Sequence, residues 1–411
     1  MRRVVITGAG VVSSLGDTPA GLHEALCEGR SGISPVGLFD TKRLGCPLGG
    51  EVKEFDAQKY LGRRNLRPLD RTSRLVASAA QLALDDSGWT AGMRAAEEVG
   101  LVLGTMFCSV RTISEFDRRA LEAGPTYASP MDFANTVINA AAGQTAILHD
   151  LRGVNTTVST GVTSGLQAVA YAADLIRQGR ACSLLAGGAD ELCFESFYGF
   201  DRAGLLCRSD GHDGHYAVPF DARRNGFTLG EGAALLMLEE EGAALKRGAR
   251  VLAEVSSTGC GYDSSRGKDE RKGVESVAHA MRFALYEAML RAYEVECLSA
   301  SANGSPGGDR REARAVAEVF GDHVRTLPTT AIKAMLGETL GASGAMQVVA
   351  ALETMRDGRL PGIPRLEQVE ADCPLALAGH ARQDVDAGNV LVNSVGFDGH
   401  SCSILLARPE G

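Results

Sequence analysis

The segment TVSTGVTSG, residues 157–165, has the pattern of a strand, a tight turn and the start of a helix. Several enzyme families present a nucleophile on such a turn, because the turn lifts the side chain out of the sheet and the helix N-terminus stabilises nearby negative charge. The position expected for the nucleophile is Val162, which has no nucleophilic atom. The neighbouring hydroxyls of Thr160, Thr163 and Ser164 are weak nucleophiles unless a base adjoins them.

Four segments with distinctive composition follow one another along the chain. They are RRVVITGAGVVSSLG at the N-terminus, PFDARRNGFTLGEGAALLML at 219–238, KAMLGETLGASGAMQ at 333–347 and NSVGFDGHS at 393–401. Together they resemble the β-ketoacyl synthases of the thiolase superfamily. The resemblance implies an α/β, thiolase-like fold with two related βαβαβαββ halves that form a five-layer αβαβα sandwich. We expect an N-terminal half with interface insertions at 1–250 and a C-terminal half at 251–411.

In that family a cysteine thiolate accepts an acyl chain from a carrier protein, and two neutral imidazoles assist decarboxylation and stabilise the enolate that forms. The resemblance places Val162 at the cysteine position, Asn303 at the first histidine and Glu338 at the second. The family's lysine is retained as Lys333. Loss of the nucleophile and both imidazoles predicts a site without condensing activity. We expect no catalytic residue, no metal and no cofactor.

The resemblance favours a non-catalytic chain length factor, or ketosynthase beta subunit, of a bacterial type II polyketide synthase. Such a subunit pairs with an active ketosynthase alpha subunit and shapes the acyl tunnel, which controls polyketide or polyene chain length during condensation on acyl carrier protein. One alternative is a malonyl-carrier-protein decarboxylase that makes starter units. Another is a ketosynthase-like acyltransferase with relocated catalytic residues. For that alternative His400 would be the base, although we expect this histidine to contact backbone.

Bulky side chains in a chain length factor close the tunnel, and the resemblance places this gate after the strand that ends at Gly104. The candidate gating residues are Phe107, Cys108, Thr112, Phe116 and Phe133. Thr112 and Phe116 are four residues apart and would share one face of a helix. Phe397 and Asp398 form the expected gating loop. For each candidate, ordinary packing in the dimer core is the alternative. Valine instead of glutamine at position 162 favours the highly reducing, polyene type over the aromatic type.

Composition limits the possible partners. A net charge of −9 over 411 residues provides no basic face for nucleic acid. The longest apolar runs are shorter than the ~20 residues of a membrane span, and the N-terminus reads as a strand rather than a signal peptide, so we expect a cytoplasmic protein. The ten cysteines show no zinc-type spacing and are expected to be buried, reduced thiols. The segment GGDRREAR near Gly307 is expected to be a loop followed by a solvated helix face.

The elements that must position these residues alternate between strand and helix in both halves. A strand is predicted at 3–7, closed by a GAG turn, and another at 98–104, with a helical apolar pattern at 69–89 between them. The second half repeats the rhythm, with a long helix predicted at 273–293 and another at 344–356. Alternation of this kind indicates βαβ units and a largely parallel sheet. The repeated order suggests a duplication, although direct identity between the halves is weak.

Overall fold

Eleven strands form one continuous sheet in the computed structural model, which describes residues 2–208 and 217–409. Four further short strands form two small ribbons. The strands are β1 (Val4–Val12), β2 (Ser34–Pro35), β3 (Leu48–Gly49), β4 (Val99–Gly104), β5 (Asn155–Val158), β6 (Ser183–Asp190), β7 (Gly232–Glu240), β8 (Ala253–Tyr262), β9 (Cys297–Ser299), β10 (Pro328–Thr330), β11 (Arg359–Leu360), β12 (Ala376–Leu377), β13 (Gln383–Asp384), β14 (Asn389–Val395) and β15 (His400–Ala407).

The helices connect these strands and lie on both faces of the large sheet. They are α1 (Pro19–Cys27), α2 (Gln58–Leu61), α3 (Arg71–Asp86), α4 (Ala91–Ala96), α5 (Val110–Ala123), α6 (Pro130–Phe133), α7 (Ala140–His149), α8 (Ser164–Arg177), α9 (Phe194–Arg202), α10 (Glu241–Lys246), α11 (Glu270–Glu287), α12 (Pro306–Phe320), α13 (Lys333–Leu336) and α14 (Ser343–Asp357).

The large sheet consists of two halves with the same strand order. The order is β5-β4-β6-β7-β1 in the N-terminal half and β10-β9-β14-β15-β8 in the C-terminal half, where β12 adds an outer strand parallel to β10. β7 in the first half and β15 in the second run antiparallel to both of their neighbours, and the other pairings within each half are parallel. With the antiparallel pairing of β1 and β8, five of the ten pairings are antiparallel, so the sheet is mixed and the prediction of a largely parallel sheet is wrong. The halves join where β1 pairs with β8, with Val5 opposite Glu254 and Ile6 opposite Ala253. The predicted pair of βαβαβαββ halves is confirmed.

Helices above, between and below the half-sheets complete the five layers. α3 and α7 cover the outer face of the N-terminal half, and α11 and α12 cover that of the C-terminal half. α8 and α14 pack against each other in the central layer. In β7, Leu236 and Leu238 point to the central layer while Leu235 and Met237 point to α3. Because both faces are covered, the central strands β1, β4 and β7 read as near-continuous apolar runs.

The GAG sequence at 8–10 lies inside β1, so the predicted turn after residue 7 is wrong. The strand continues to Val12, with a bulge between Ile6 and Gly8. Glycine is required there because α3 packs on the backbone: a Cβ on Gly10 would lie 2.1 Å from the carbonyl oxygen of Ala79. Glycine in a strand often marks such a close approach of another backbone.

The predicted helix at 273–293 is shorter than expected. α11 ends at Glu287, and Met289 adopts a φ of 56°, which stops the helix. A left-handed residue ends many helices, but it is usually glycine or asparagine, so methionine gave no signal in the sequence. Among the helices of the described residues, none combines the length and the apolar character needed to cross a membrane.

Candidate functional site

The elbow has the predicted strand, turn and helix. β5 ends at Val158, a 3₁₀ turn covers Gly161–Thr163, and α8 begins at Ser164. Gly161 adopts a φ of 63°, a left-handed conformation that favours glycine. Val162 therefore occupies the place that a nucleophile would take at the start of α8.

The hydroxyls beside Val162 are engaged in holding the turn. Ser164 Oγ accepts the Thr160 N–H at 2.8 Å and donates to the Gly161 carbonyl oxygen at 2.6 Å. Thr163 Oγ1 donates to the Thr160 carbonyl oxygen at 2.7 Å. These bonds satisfy backbone groups that the turn leaves unpaired. The protons of Ser164 and Thr163 are thus held by carbonyl oxygens and not by a base.

Val162 is buried among aromatic rings, with 1% of its surface exposed. In this cluster Phe227 and Phe397 stack with their centroids 6.2 Å apart, and Phe200 meets both edge-on at 5.6 and 5.4 Å. A pocket of about 220 Å³ is lined by Phe227, Phe397 and Asn303, among others, and Val162 is not one of its lining residues. Two rings of the cluster thus line this pocket, whereas the elbow valine does not.

The other positions identified by the resemblance meet in one buried hydrogen-bond network. Glu338 Oε2 accepts from Lys333 Nζ at 2.8 Å and from Asn303 Nδ2 at 2.9 Å. Its second oxygen, Oε1, accepts from the Ser343 hydroxyl and from the Leu340 N–H. Lys333 and Glu338 are 3% and 1% exposed. The lysine neutralises the carboxylate, and the asparagine amide is committed to the same oxygen.

The turn that carries Glu338 repeats the construction of the elbow. Thr339 N–H donates to Ser343 Oγ at 3.1 Å, as Thr160 N–H donates to Ser164 Oγ. Each serine opens a central helix, α8 or α14, whose N-terminus favours nearby negative charge. The pattern T-x-x-x-S-G, present at 160–165 and 339–344, is the local sequence signal of the duplication.

Two acids near the start of α12 are buried against this network, so the solvated helix face predicted for GGDRREAR is wrong for them. Asp309 accepts the Asn303 N–H at 3.1 Å, and Glu312 accepts the Ser301 N–H at 2.9 Å and Asn393 Nδ2 at 3.2 Å. Burial raises the pKa of Asp309 to about 6 and that of Glu312 to about 7. The pattern misled because acids on a helix usually face water.

The carboxylate of Asp398 covers the elbow from the last loop. A Cβ on Gly161 would lie 2.0 Å from Asp398 Oδ2, so the carboxylate contacts the backbone of the turn. His400 follows, with Nδ1 3.3 Å from the same oxygen and its ring 4.7 Å from that of Tyr262. The neighbours of the His400 ring are therefore a carboxylate and a phenol ring.

Phe107 and Cys108 belong to a loop that Asp190 holds. The Asp190 carboxylate accepts the backbone N–H groups of Met106, Phe107 and Cys108 at 2.8, 2.9 and 3.0 Å, and that of Gly341 at 2.8 Å. Cys108 is buried in the core beside α3, and burial raises the pKa of its thiol to about 11. Asp190 thus links this loop to the turn beside Glu338. In the sequence, the role of Asp190 is indicated only by its position as an acid at the end of an apolar strand.

Thr112 and Phe116 lie on a helix, α5, which is the condition under which their spacing places them on one face. The ring of Phe116 contacts that of Phe133, with the centroids 5.8 Å apart. Thr112 Oγ1 donates to Asp70 Oδ2 at 3.2 Å. The gating candidates therefore do not lie together: Phe107 lies in the aromatic cluster beside Val162, Cys108 lies in the core beside α3, and Phe116 with Phe133 lies near the surface.

β5 pairs with β4 on one side and has no second neighbour within the described part of the chain. In the segment that connects β4 to β5, several large apolar side chains are exposed. They are Leu121, Tyr127, Met131, Phe133, Val137, Ile138 and Ile147, which we call the partner face. Of the helices in this segment, α7, which carries Ile147, packs against β5. Exposed apolar side chains in this number favour an interaction site, and a free strand edge invites pairing.

Residues 2–208 and 217–409 contain no group of three or more cysteine, histidine, aspartate or glutamate side chains arranged to hold a metal ion. The candidate site consists of Asn303, Lys333 and Glu338, which bind one another, beside Val162, which is enclosed by aromatic rings.

Comparisons with known proteins agree with the geometry. The profile for the "Beta-ketoacyl synthase, N-terminal domain" matches residues 1–244, and that for the C-terminal domain matches 252–367. The 3-oxoacyl-(acyl-carrier-protein) synthase 2 of Synechocystis sp. is 30% identical over 408 residues, 99% of this chain and 98% of its own. That of Coxiella burnetii is 31% identical over 408 residues, 99% of each chain. A solved structure, "The ishigamide ketosynthase/chain length factor", superimposes with a TM-score of 0.92 and 30% identity over 100% of both chains.

Proposed function

Because this chain belongs to the β-ketoacyl synthase family, we propose that it is a non-catalytic chain length factor that pairs with an active ketosynthase. The observation that carries the proposal is the closed network of Asn303, Lys333 and Glu338 beside a buried Val162. In an active member of the family these positions must reach a substrate. In this chain they bind each other.

The network counts against a decarboxylase. Decarboxylation of a malonyl group needs hydrogen-bond donors aimed at the enolate oxygen that forms. The donors of Asn303 and Lys333 point at Glu338 Oε2, and the charge of that carboxylate would repel an enolate. A relocated nucleophile is also disfavoured, because the hydroxyls of Thr163 and Ser164 donate to turn carbonyls and His400 faces Asp398.

The partner face supports assembly with a ketosynthase. Phe133 is 61% exposed, and Ile147, on the helix α7 that packs against β5, is 79% exposed. A second chain could cover these apolar side chains together with the free edge of β5. Interfaces of permanent complexes are large and apolar in this way. The names of the relatives give substrates carried by acyl carrier protein. We therefore propose acyl carrier protein as a further partner of the heterodimer.

In this proposal the chain sets product length through side chains at the interface. Phe116 and Phe133 form a ring pair beside the partner face, so they are the leading candidates to close a tunnel that enters from the partner. Phe107, which Asp190 holds beside the elbow, is the second candidate. Valine rather than glutamine at position 162 supports a polyene-type pathway within this proposal.

Co-expression with a ketosynthase that retains its cysteine and both histidines tests the function. We expect a one-to-one complex that extends carrier-bound chains, and loss of product when the partner's cysteine is replaced by alanine. Val162→Ala in this chain is the matched control and should leave product formation in place. After incubation with acyl- and malonyl-carrier protein, the intact mass of this chain should be unchanged. A covalent acyl adduct on this chain, or turnover by this chain alone, would refute the proposal.

A further inference from the structure

Two cysteines face each other across β8 and β15, away from the elbow network. Cys260 and Cys402 are directly opposite in the antiparallel register, and their Sγ atoms are 3.7 Å apart. Opposed residues in such a pair have Cα atoms about 4.5 or 5.5 Å apart. Both spacings lie within the range of about 4.4–6.8 Å that disulfides span. The backbone spacing therefore permits a bond between these sulfurs once the side chains rotate.

The two thiols differ in their access to solvent. Of the ten cysteines, all within the described residues, only Cys182 and Cys260 are exposed. Cys402 is 1% exposed and faces the central core. A reagent in solution can reach Cys260 directly, and Cys402 lies behind it within bonding reach. The pair thus has the arrangement of an attacking thiol with a resolving thiol.

The contact between the thiols also favours the reactive form of Cys260. A hydrogen bond with Cys402 lowers the pKa of the Cys260 thiol, although burial and the nearby Asp174 carboxylate oppose this. When Cys260 is a thiolate, the bridging proton comes from Cys402. Burial and the same contact raise the pKa of Cys402, so this thiol stays protonated until Cys260 has reacted.

We propose that Cys260 and Cys402 form a modification site for peroxide-class oxidants, at which oxidation creates a disulfide between β8 and β15. In the first step the Cys260 thiolate attacks one oxygen of hydrogen peroxide, so that an S–O bond forms, the O–O bond breaks and hydroxide leaves. In the second step the Cys402 sulfur attacks the sulfenic sulfur of Cys260 and releases its proton. The S–S bond forms, the S–O bond breaks, and hydroxide leaves. Two thiols are oxidised and one peroxide is reduced to two waters.

The site lies next to the loop that covers the elbow. β15 begins at His400, two residues before Cys402 and two after Asp398. A disulfide would fix β8 to β15 immediately after this loop. The inference does not depend on the chain length factor proposal, since neither cysteine takes part in the Asn303–Glu338 network.

Peroxide titration of the purified full chain tests the site. After treatment, free thiols are alkylated and the digested protein is analysed by mass spectrometry. We expect a cross-linked peptide pair containing Cys260 and Cys402, a loss of two hydrogen atoms from the intact mass, and reversal by dithiothreitol. In Cys402→Ser, Cys260 should stop at a sulfenic acid that dimedone traps. In Cys260→Ser, Cys402 should remain reduced at the same dose.

Cys182→Ser is the matched control, because it removes the other exposed thiol and should leave the cross-link in place. Three results would overturn the proposal. The first is oxidation of Cys260 in the unmodified chain while Cys402 stays reduced. The second is pairing of Cys260 with a different cysteine. The third is a reduced Cys260 at a peroxide dose that oxidises Cys182.

Discussion

The side chains of Asn303 and Glu338 are joined by a hydrogen bond, with Nδ2 2.9 Å from Oε2. The family resemblance predicts two substrate-facing imidazoles at these positions, and here the two replacements satisfy one another. Lys333 completes the unit by neutralising the carboxylate. A buried polar group is tolerated only when it is paired, so the two replacements depend on each other and on the retained Lys333.

Removal of one member of the buried Lys333–Glu338 ion pair should lower the free energy of unfolding more than removal of both members. Glu338→Leu leaves the Lys333 ammonium buried without a counter-charge, and we expect a loss of about 3 kcal/mol in the free energy of unfolding. The double variant Lys333→Met/Glu338→Leu should lose less. Urea denaturation followed by circular dichroism measures both. A single variant as stable as the unmodified chain would show that Glu338 does not balance Lys333.

Shortening of the Phe116 side chain should lengthen the product. Phe116→Ala removes one ring of the Phe116–Phe133 pair and opens space at the partner face. We expect the reconstituted heterodimer to release chains longer by at least one extension unit, measured by mass spectrometry of carrier-bound products. Arg118→Ala, an exposed position on the same helix, is the control and should leave length unchanged. Normal assembly with unchanged length in Phe116→Ala would exclude this ring as the gate.

A charge on the partner face should weaken assembly. Ile147 is 79% exposed on α7, and Ile147→Asp would bury an unpaired carboxylate in the interface. We expect the dissociation constant of the heterodimer to rise at least about tenfold, or about 1.4 kcal/mol, by analytical ultracentrifugation. Leu245→Asp on α10, outside the partner face and 61% exposed, should bind the ketosynthase normally. Equal affinities for the two variants would place the interface elsewhere.

The stability of the chain should fall between mildly acidic and mildly alkaline pH, partly because of Glu191. Burial raises the pKa of this carboxyl from 4.5 to about 8. The folded chain keeps the proton in this window while the unfolded chain loses it, so the contribution is complete below pH 4.5 and is lost as the pH rises through 8.

Glu191→Gln should remove that part of the pH dependence. Between pH 5 and pH 8.5, the unmodified chain should lose up to about 4 kcal/mol more unfolding free energy than the variant. Buried Asp309 and Glu312 titrate in the same direction in both proteins, so the difference isolates Glu191. Urea midpoints at the two pH values measure it, with exposed Glu122→Gln as the control. Parallel pH curves for Glu191→Gln and the unmodified chain would contradict the assignment.

Local patterns predicted the parts of the site that local chemistry determines. The elbow followed from a β-branched run, a glycine turn and an apolar helix. The features that the pattern missed depend on packing between distant segments. Position 10 requires glycine because α3 packs on the backbone of β1, and buried Asp309 accepts the N–H of Phe220, which lies 89 residues earlier in the chain. No single segment contains that information.

The free edge of β5 also has a consequence for how the chain is produced. An open strand edge flanked by exposed apolar side chains is the kind of surface from which aggregates grow when nothing covers it. Chains produced in excess of a molecule that covers β5 would pair with one another through that edge. If the proposed ketosynthase partner covers β5, the yield of this chain is limited by the supply of that partner, and balanced synthesis of the two becomes a condition for a good yield.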